Sequence, residues 1–128
     1  MRAILDTSVF IARETGRLMR ELPTGAETAI SVITCAELRI GVLTATDAAV
    51  RARRLSTFEA ALRDHQPLAV DEGVAEAFAG LVAAMRSAGR NPRVLDGLIA
   101  ATAIAHDAVV ATQDDDFDDL PGVSTVRV

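Results

Sequence analysis

The sequence predicts an α/β fold, a three-layer α/β/α sandwich around a central, mainly parallel sheet. Three observations predict it. Short apolar runs of strand length alternate with longer stretches of helical periodicity. Strands separated by helices require right-handed crossovers and hence parallel neighbours. The 128-residue length is that of one compact domain, spanning 1–128.

Ala3-Ile4-Leu5 is short and apolar, stops at Asp6, and reads as a buried strand. Asp6-Thr7-Ser8 supplies capping chemistry for a helix through Val9, Phe10, Ile11 and Ala12, continuing as a polar helical stretch to about Glu21 before Pro23-Thr24-Gly25 breaks it. Thr28-Ala29-Ile30 is a second strand, and Ser31 caps a helix from Val32 to about Leu43. Asp47 to Asp64 is amphipathic, with Ala49, Ala52, Leu55, Phe58 and Leu62 on one stripe. Leu68-Ala69-Val70 makes a third strand, and a helix from Glu72 to about Ala88 stops at Gly89, a residue favoured at helix ends. After the Arg90-Asn91-Pro92 loop come a helix over Val94–His106, a strand over Ala108–Ala111 and a last alternating strand over Val123–Val128.

Composition removes several function classes. Half the residues are hydrophobic and 24% are charged, a globular balance. The only aromatic residues are four Phe, so stacking bases on an aromatic platform is excluded as the mode of holding nucleic acid. The longest apolar stretch, around Leu98 to Ala105, falls far short of the roughly 20 residues of a membrane span. Asp6 interrupts what would be the apolar region of a signal peptide, and a lone Cys35 forms no internal disulfide. The expectation is a soluble cytoplasmic protein.

The charge is local. All 13 basic residues are Arg, against 18 acids, for a net charge of −5. Asp114, Asp115, Asp116, Asp118 and Asp119 account for the excess, and the rest of the chain balances. A concentrated negative site on an otherwise neutral surface fits cation binding.

In open parallel sheets, sites form beyond the carboxyl ends of the strands. Asp6 follows the first strand, while Thr112, Asp114, Asp115 and Asp116 follow the Val109-Val110-Ala111 strand. Two separate segments thus deliver carboxylates to one edge. Glu37 lies between Ile33 and Ile40 on a helix face, and Asp96 heads the apolar stripe of Ile99, Ala100, Ala103 and Ile104. A carboxylate turned toward a core costs several kcal/mol unless something positive meets it. Taken singly, each acid has an ordinary reading: Asp6 and Ser8 as caps, Glu37 at the edge of its stripe, Asp96 as a first-turn acid, the Asp run as a solvated loop. Together the four point to chemistry.

Gathered carboxylates repel one another, and the chain has no Lys to neutralise them. Oxygen-only ligands select Mg²⁺ or Mn²⁺. His65, His106 and Cys35 are isolated, which disfavours zinc. Carboxylate-bound metal suits phosphodiester hydrolysis, because it activates a water and steadies the leaving oxygen. Other acid-based chemistries fail on spelling. Ser8 stands where a dehalogenase-type phosphatase needs its second Asp; a receiver domain needs a Lys; phosphate-binding Gly-rich loops and a nucleophile elbow are absent.

Ile4-Leu5-Asp6-Thr7-Ser8, Thr34-Cys35-Ala36-Glu37-Leu38, Asp96 to Ala103 and Thr112-Gln113-Asp114-Asp115-Asp116-Phe117 together resemble the PIN domain, and more narrowly the VapC-type ribonuclease toxins of toxin–antitoxin modules. The matched segments, about residues 1–13, 31–44 and 94–117, run from end to end. The resemblance implies a Mg²⁺- or Mn²⁺-dependent endoribonuclease cutting single-stranded or loop RNA. It makes Asp6, Glu37, Asp96 and Asp114 the site acids, with Asp116 a further metal ligand and Ser8 and Thr112 supporting them by hydrogen bonds. It also implies a homodimer silenced by a cognate antitoxin, which places a peptide, often with an Arg, among the carboxylates. The segment between Thr112 and Phe117 often carries a basic residue in that family; here it reads Gln113-Asp114-Asp115-Asp116. Arg13, Arg39, Arg86, Arg90 and Arg93 flank the acids and are candidate RNA contacts, with solvated helix faces as the alternative. Arg51, Arg53 and Arg54 cluster on the middle helix, where RNA, antitoxin and solvent are all open as partners. Two other functions are weighed: a non-catalytic PIN-like module binding nucleic acid or protein, and a DNA-flap nuclease, for which the chain is small.

Overall fold

A computed structural model describes residues 1–128. The elements run β1 (Arg2–Leu5), α1 (Thr7–Thr15), β2 (Glu27–Ser31), α2 (Val32–Thr44), α3 (Ala48–Asp64), β3 (Pro67–Leu68), α4 (Glu72–Ser87), α5 (Val94–Ala105), β4 (Val109–Thr112) and β5 (Thr125–Arg127). The sheet order is β3-β2-β1-β4-β5 and every pairing is parallel. The expected three-layer sandwich is therefore the fold.

Alternation along the strands divides the core in two. Ala3 and Leu5 of β1 and Ala111 of β4 pack with Val9 and Phe10 of α1, Leu38 of α2 and Ala61 of α3. Ile4 and Val110 point the other way, onto Leu81 and Met85 of α4 and Ile99, Ala100 and Ala103 of α5. Small residues on α5 let it lie close to the sheet, and Ala100, Ala101 and Ala103 are fully buried. The chain winds outward from β1 through β2 to β3, then returns across the sheet to β4. The direction of winding thus switches between β1 and β4, where the strand ends splay a crevice.

Four details differ from the sequence reading. Helix α1 ends at Thr15, not near Glu21, because Gly16 takes a left-handed cap (φ 70°) and Leu18 beyond it is 93% exposed, with no surface to pack on. Strand β3 is Pro67–Leu68; Ala69 and Val70 are exposed because Asp71 already caps α4 by accepting from the Val74 N–H. Strand β5 is trimmed to Thr125–Arg127 by the turn at Gly122 (φ 80°). The buried side of α3 runs through Val50, Arg54, Phe58 and Ala61, leaving Ala49 and Ala52 exposed. Guanidinium groups set that phase: Arg51 donates to the Ala45 carbonyl and Arg54 to the Gly41 carbonyl (2.9 Å), which lays their stems against α2. Arg53 pairs with Glu14 at 3.8 Å, so all three arginines of this cluster have partners inside the chain.

Candidate active site

Asp6 sits at the carboxyl end of β1, 4% exposed, and both readings of it hold. It is the N-cap of α1, accepting from the Ser8 N–H, and it is the centre of a buried polar network. The Ser8 hydroxyl donates to Asp6 Oδ2 at 2.7 Å and the Thr112 hydroxyl donates to the same oxygen at 3.0 Å. Those hydroxyls in turn accept from backbone: Ser8 Oγ from the Gln113 N–H (3.0 Å), Thr112 Oγ1 from the Asp114 N–H (3.0 Å). Each hydroxyl thus ties the β4 exit to the β1 carboxylate. All these bonds fall on Oδ2. Oδ1 accepts none.

Glu37 reaches the same crevice from α2. The sequence placed it on a stripe with Ile40, but Ile40 is 53% exposed and the buried line is Thr34, Leu38 and Val42. Glu37 stands beside that line and is aimed by Thr7, whose hydroxyl donates to Oε1 at 2.7 Å. Thr7 was not singled out as a site residue, although it lies inside the Asp6-Thr7-Ser8 segment and is itself buried. Burial, then the neighbouring Asp6 charge, raise the Glu37 pKa against the opposing Thr7 hydrogen bond.

Asp96 opens α5, where Gly97 lets the helix start flush against α4: a Cβ there would stand 3.0 Å from the Phe78 ring. Burial first, then the charges of Asp6, Asp116 and Glu37, raise the Asp96 pKa to about 6, with Arg93 opposing. Asp114 is likewise raised by burial and by Asp6 and Asp116, with Arg17 and Arg127 opposing. The charges of Asp6, Asp116 and Glu37 act on Asp96, and those of Asp6 and Asp116 on Asp114, so acids from four segments of sequence lie near one another at the sheet edge. No three of them close into a ready-made ligand set, however. Asp96 and Asp116 line a cavity of about 380 Å³ with Asn91, Arg93, Asp115 and Asp119.

The expected absence of any native counter-charge is corrected here. Arg93 Nη1 lies 3.2 Å from Asp116 and 3.9 Å from Asp96, so a guanidinium does what no Lys is present to do. Arg90 pairs with Asp119 at 3.1 Å. Of the five candidate RNA contacts, Arg93 alone touches site carboxylates, with Arg90 on the adjoining loop. Arg13 lies over the Phe10 ring and Arg39 over Phe58, both away from the crevice, and Arg86 makes no side-chain hydrogen bond or ion pair. His65 packs edge-on against Phe10 and bonds Thr28, remote from the acids. No helix is long and apolar enough to cross a membrane.

The donor set consists of carboxylate oxygens whose repulsion a divalent cation would relieve, and the unbonded Oδ1 of Asp6 is positioned as a ligand atom. Sparse protein ligands suit Mg²⁺, which keeps several waters and takes phosphate oxygens into its shell.

Comparison with known proteins gives concordant results. The family profile described as PIN domain matches residues 3–123. Ribonuclease VapC4 of Mycobacterium tuberculosis is 44% identical over 127 residues, covering 99% of this chain and 97% of that protein. Ribonuclease VapC5 of the same organism is 43% identical over 125 residues, covering 98% and 92%. The crystal structure of VapBC-5 from M. tuberculosis, a member of the VapBC family of toxin–antitoxin systems, superposes with a TM-score of 0.87 at 41% identity, covering 99% of this chain and 98% of that one.

Proposed function

The chain belongs to the PIN-domain family, and on that premise we propose that it is a VapC-type endoribonuclease toxin, dependent on Mg²⁺ or Mn²⁺ and neutralised by a cognate antitoxin. The observation that carries the reading is the convergence of five carboxylates on one crevice, each of Glu37, Asp96 and Asp114 feeling the charge of Asp6. Asp6 and Asp96 are the principal cation ligands, with Asp114 and Asp116 holding the outer side. A bound divalent cation supplies an activated water and charge stabilisation at the phosphodiester.

The remaining chemistry belongs to the chain. Thr7 holds Glu37 through Oε1, leaving Oε2 to orient a water and take its proton. Ser8 and Thr112 fix the Asp6 carboxylate by donating to Oδ2, leaving Oδ1 without a hydrogen bond. Arg93, on the rim, pairs with Asp96 and Asp116 and would be free to meet a substrate phosphate if a cation neutralised those carboxylates. The RNA substrate of this reading is a single strand or loop, as the family resemblance implies.

We place the antitoxin in a groove of about 280 Å³ lined by Thr7, Ile11, Glu37 and Leu38, where Glu37 is the site acid it would meet. Exposed Val32, Val94 and Leu95 at the starts of α2 and α5 favour pairing with a second copy, giving a homodimer. The setting is the cytoplasm, where the RNA is. The test is cleavage of a single-stranded RNA with Mg²⁺ and with EDTA, by wild type and by folded D6N and D96N. Loss of cleavage in EDTA and in both variants is expected. A variant that cuts at the wild-type rate overturns the assignment.

A further inference from the structure

The acidic loop after β4 carries five Asp, and only some of them face the crevice. Arg127 pairs with two of them. The β4–β5 register sets Arg127 opposite Thr112, so its side chain lies along the strand exit. Its Nη1 donates to the Gln113 carbonyl at 2.8 Å, and its Nη2 bonds the carboxylates of Asp115 and, at 3.4 Å, Asp118. The other end of the Gln113–Asp114 peptide is also fixed, because the Asp114 N–H donates to Thr112 Oγ1. With oxygen and N–H both held, the peptide that leads into Asp114 is fixed at both ends. The Asp114 carboxylate itself accepts no hydrogen bond. Asp115 and Asp118 are meanwhile paired with Arg127, and Asp119 with Arg90.

We infer that Arg127 is a positioning residue for cation binding, clamping the 113–114 peptide that carries Asp114 while it pairs with Asp115 and Asp118. The inference rests on the metal-dependent reading above.

Sign distinguishes positioning from simple electrostatics. Removing a positive charge beside an acidic site should tighten cation binding if charge alone matters. Removing a clamp should weaken it, and outer-shell substitutions of this kind typically cost roughly 10- to 100-fold in metal affinity. Mn²⁺ affinity, measured by titration of the RNA-free protein, is expected to fall about 10-fold in R127Q by that measure, with R127K intermediate because an ammonium cannot form the same planar fork. Exchange of the Asp114 amide hydrogen in metal-free R127Q should also accelerate. Folded R127Q that binds Mn²⁺ as tightly as wild type, or more tightly, overturns the inference; should R127Q not fold, unchanged affinity in R127K does so. D96N serves as the control for the underlying reading. If wild type and D96N bind Mn²⁺ alike, the cation site itself fails and takes this inference with it; if they differ while R127Q matches wild type, only the positioning role fails.

Discussion

The two strand exits that form the site are held in opposite ways. At β1, the Asp6 carboxylate is buried and fastened by two neutral hydroxyls that also accept backbone N–H groups from the facing loop. At β4, Phe117 anchors the following loop in the core, while the carboxylates of Asp115, Asp116, Asp118 and Asp119 are exposed and paired with the guanidinium groups of Arg90, Arg93 and Arg127. A hydroxyl network is short-ranged and insensitive to salt, and losing one member strands a buried partner. Exposed ion pairs are screened and contribute about 0–1 kcal/mol each. The molecule thus couples a buried, hydroxyl-bonded anchor to a set of exposed ion pairs.

The largest effect that tests this contrast comes from the anchor's charge. D6N should reduce kcat/KM by more than about 100-fold, since a ligand matters at least as much as its outer partners. Steady-state cleavage of a fluorescent single-stranded RNA measures it. Next comes the anchor's fastening. T112V removes a donor to Asp6 and an acceptor for the Asp114 N–H, and should cost about 1–3 kcal/mol in urea unfolding because buried polar groups lose their partners.

Protonation gives the third. Because the Asp96 pKa is raised to about 6, its contribution to stability is fully present below the ordinary carboxylate value and is lost as pH rises through about 6. Added Mg²⁺ should therefore stabilise the fold most above pH 6, and cleavage should decline below it as Asp96 takes up a proton. Thermal unfolding with and without Mg²⁺ at pH 5 and pH 7.5 checks the direction; equal Mg²⁺ stabilisation at both would break it. The smallest effect belongs to the exposed pairs. R90Q breaks an exposed pair with Asp119 and a hydrogen bond to its backbone carbonyl, and unfolding free energy should stay within about 1 kcal/mol of wild type.

Much of this arrangement is legible in the sequence. An Asp placed just past an apolar strand, twice, locates the crevice, and an Asp at the head of an all-apolar helical face can only point into it. The arms that meet those acids are not legible in the same way. Arg127 is 12 residues from Asp115, and only the strand register puts the two together. Arg93 was readable as a flanking base but not as the counter-charge of Asp116, because a guanidinium's reach depends on where a loop ends. The phase of α3 was misread for a related reason: Arg54 carries an apolar stem, so a pattern that counts it as polar rotates the helix away from its true inner face.

The flanks of the sheet bear on how this protein meets others. The outermost strands are two and three residues long, and Pro67 in one of them lacks the N–H that a joining chain would need. A main-chain ladder therefore finds little to extend at the Pro67 border. A partner that reads side chains on the helices instead meets a language in which one residue change alters the message, whereas a ladder of peptide groups would admit almost any extended segment.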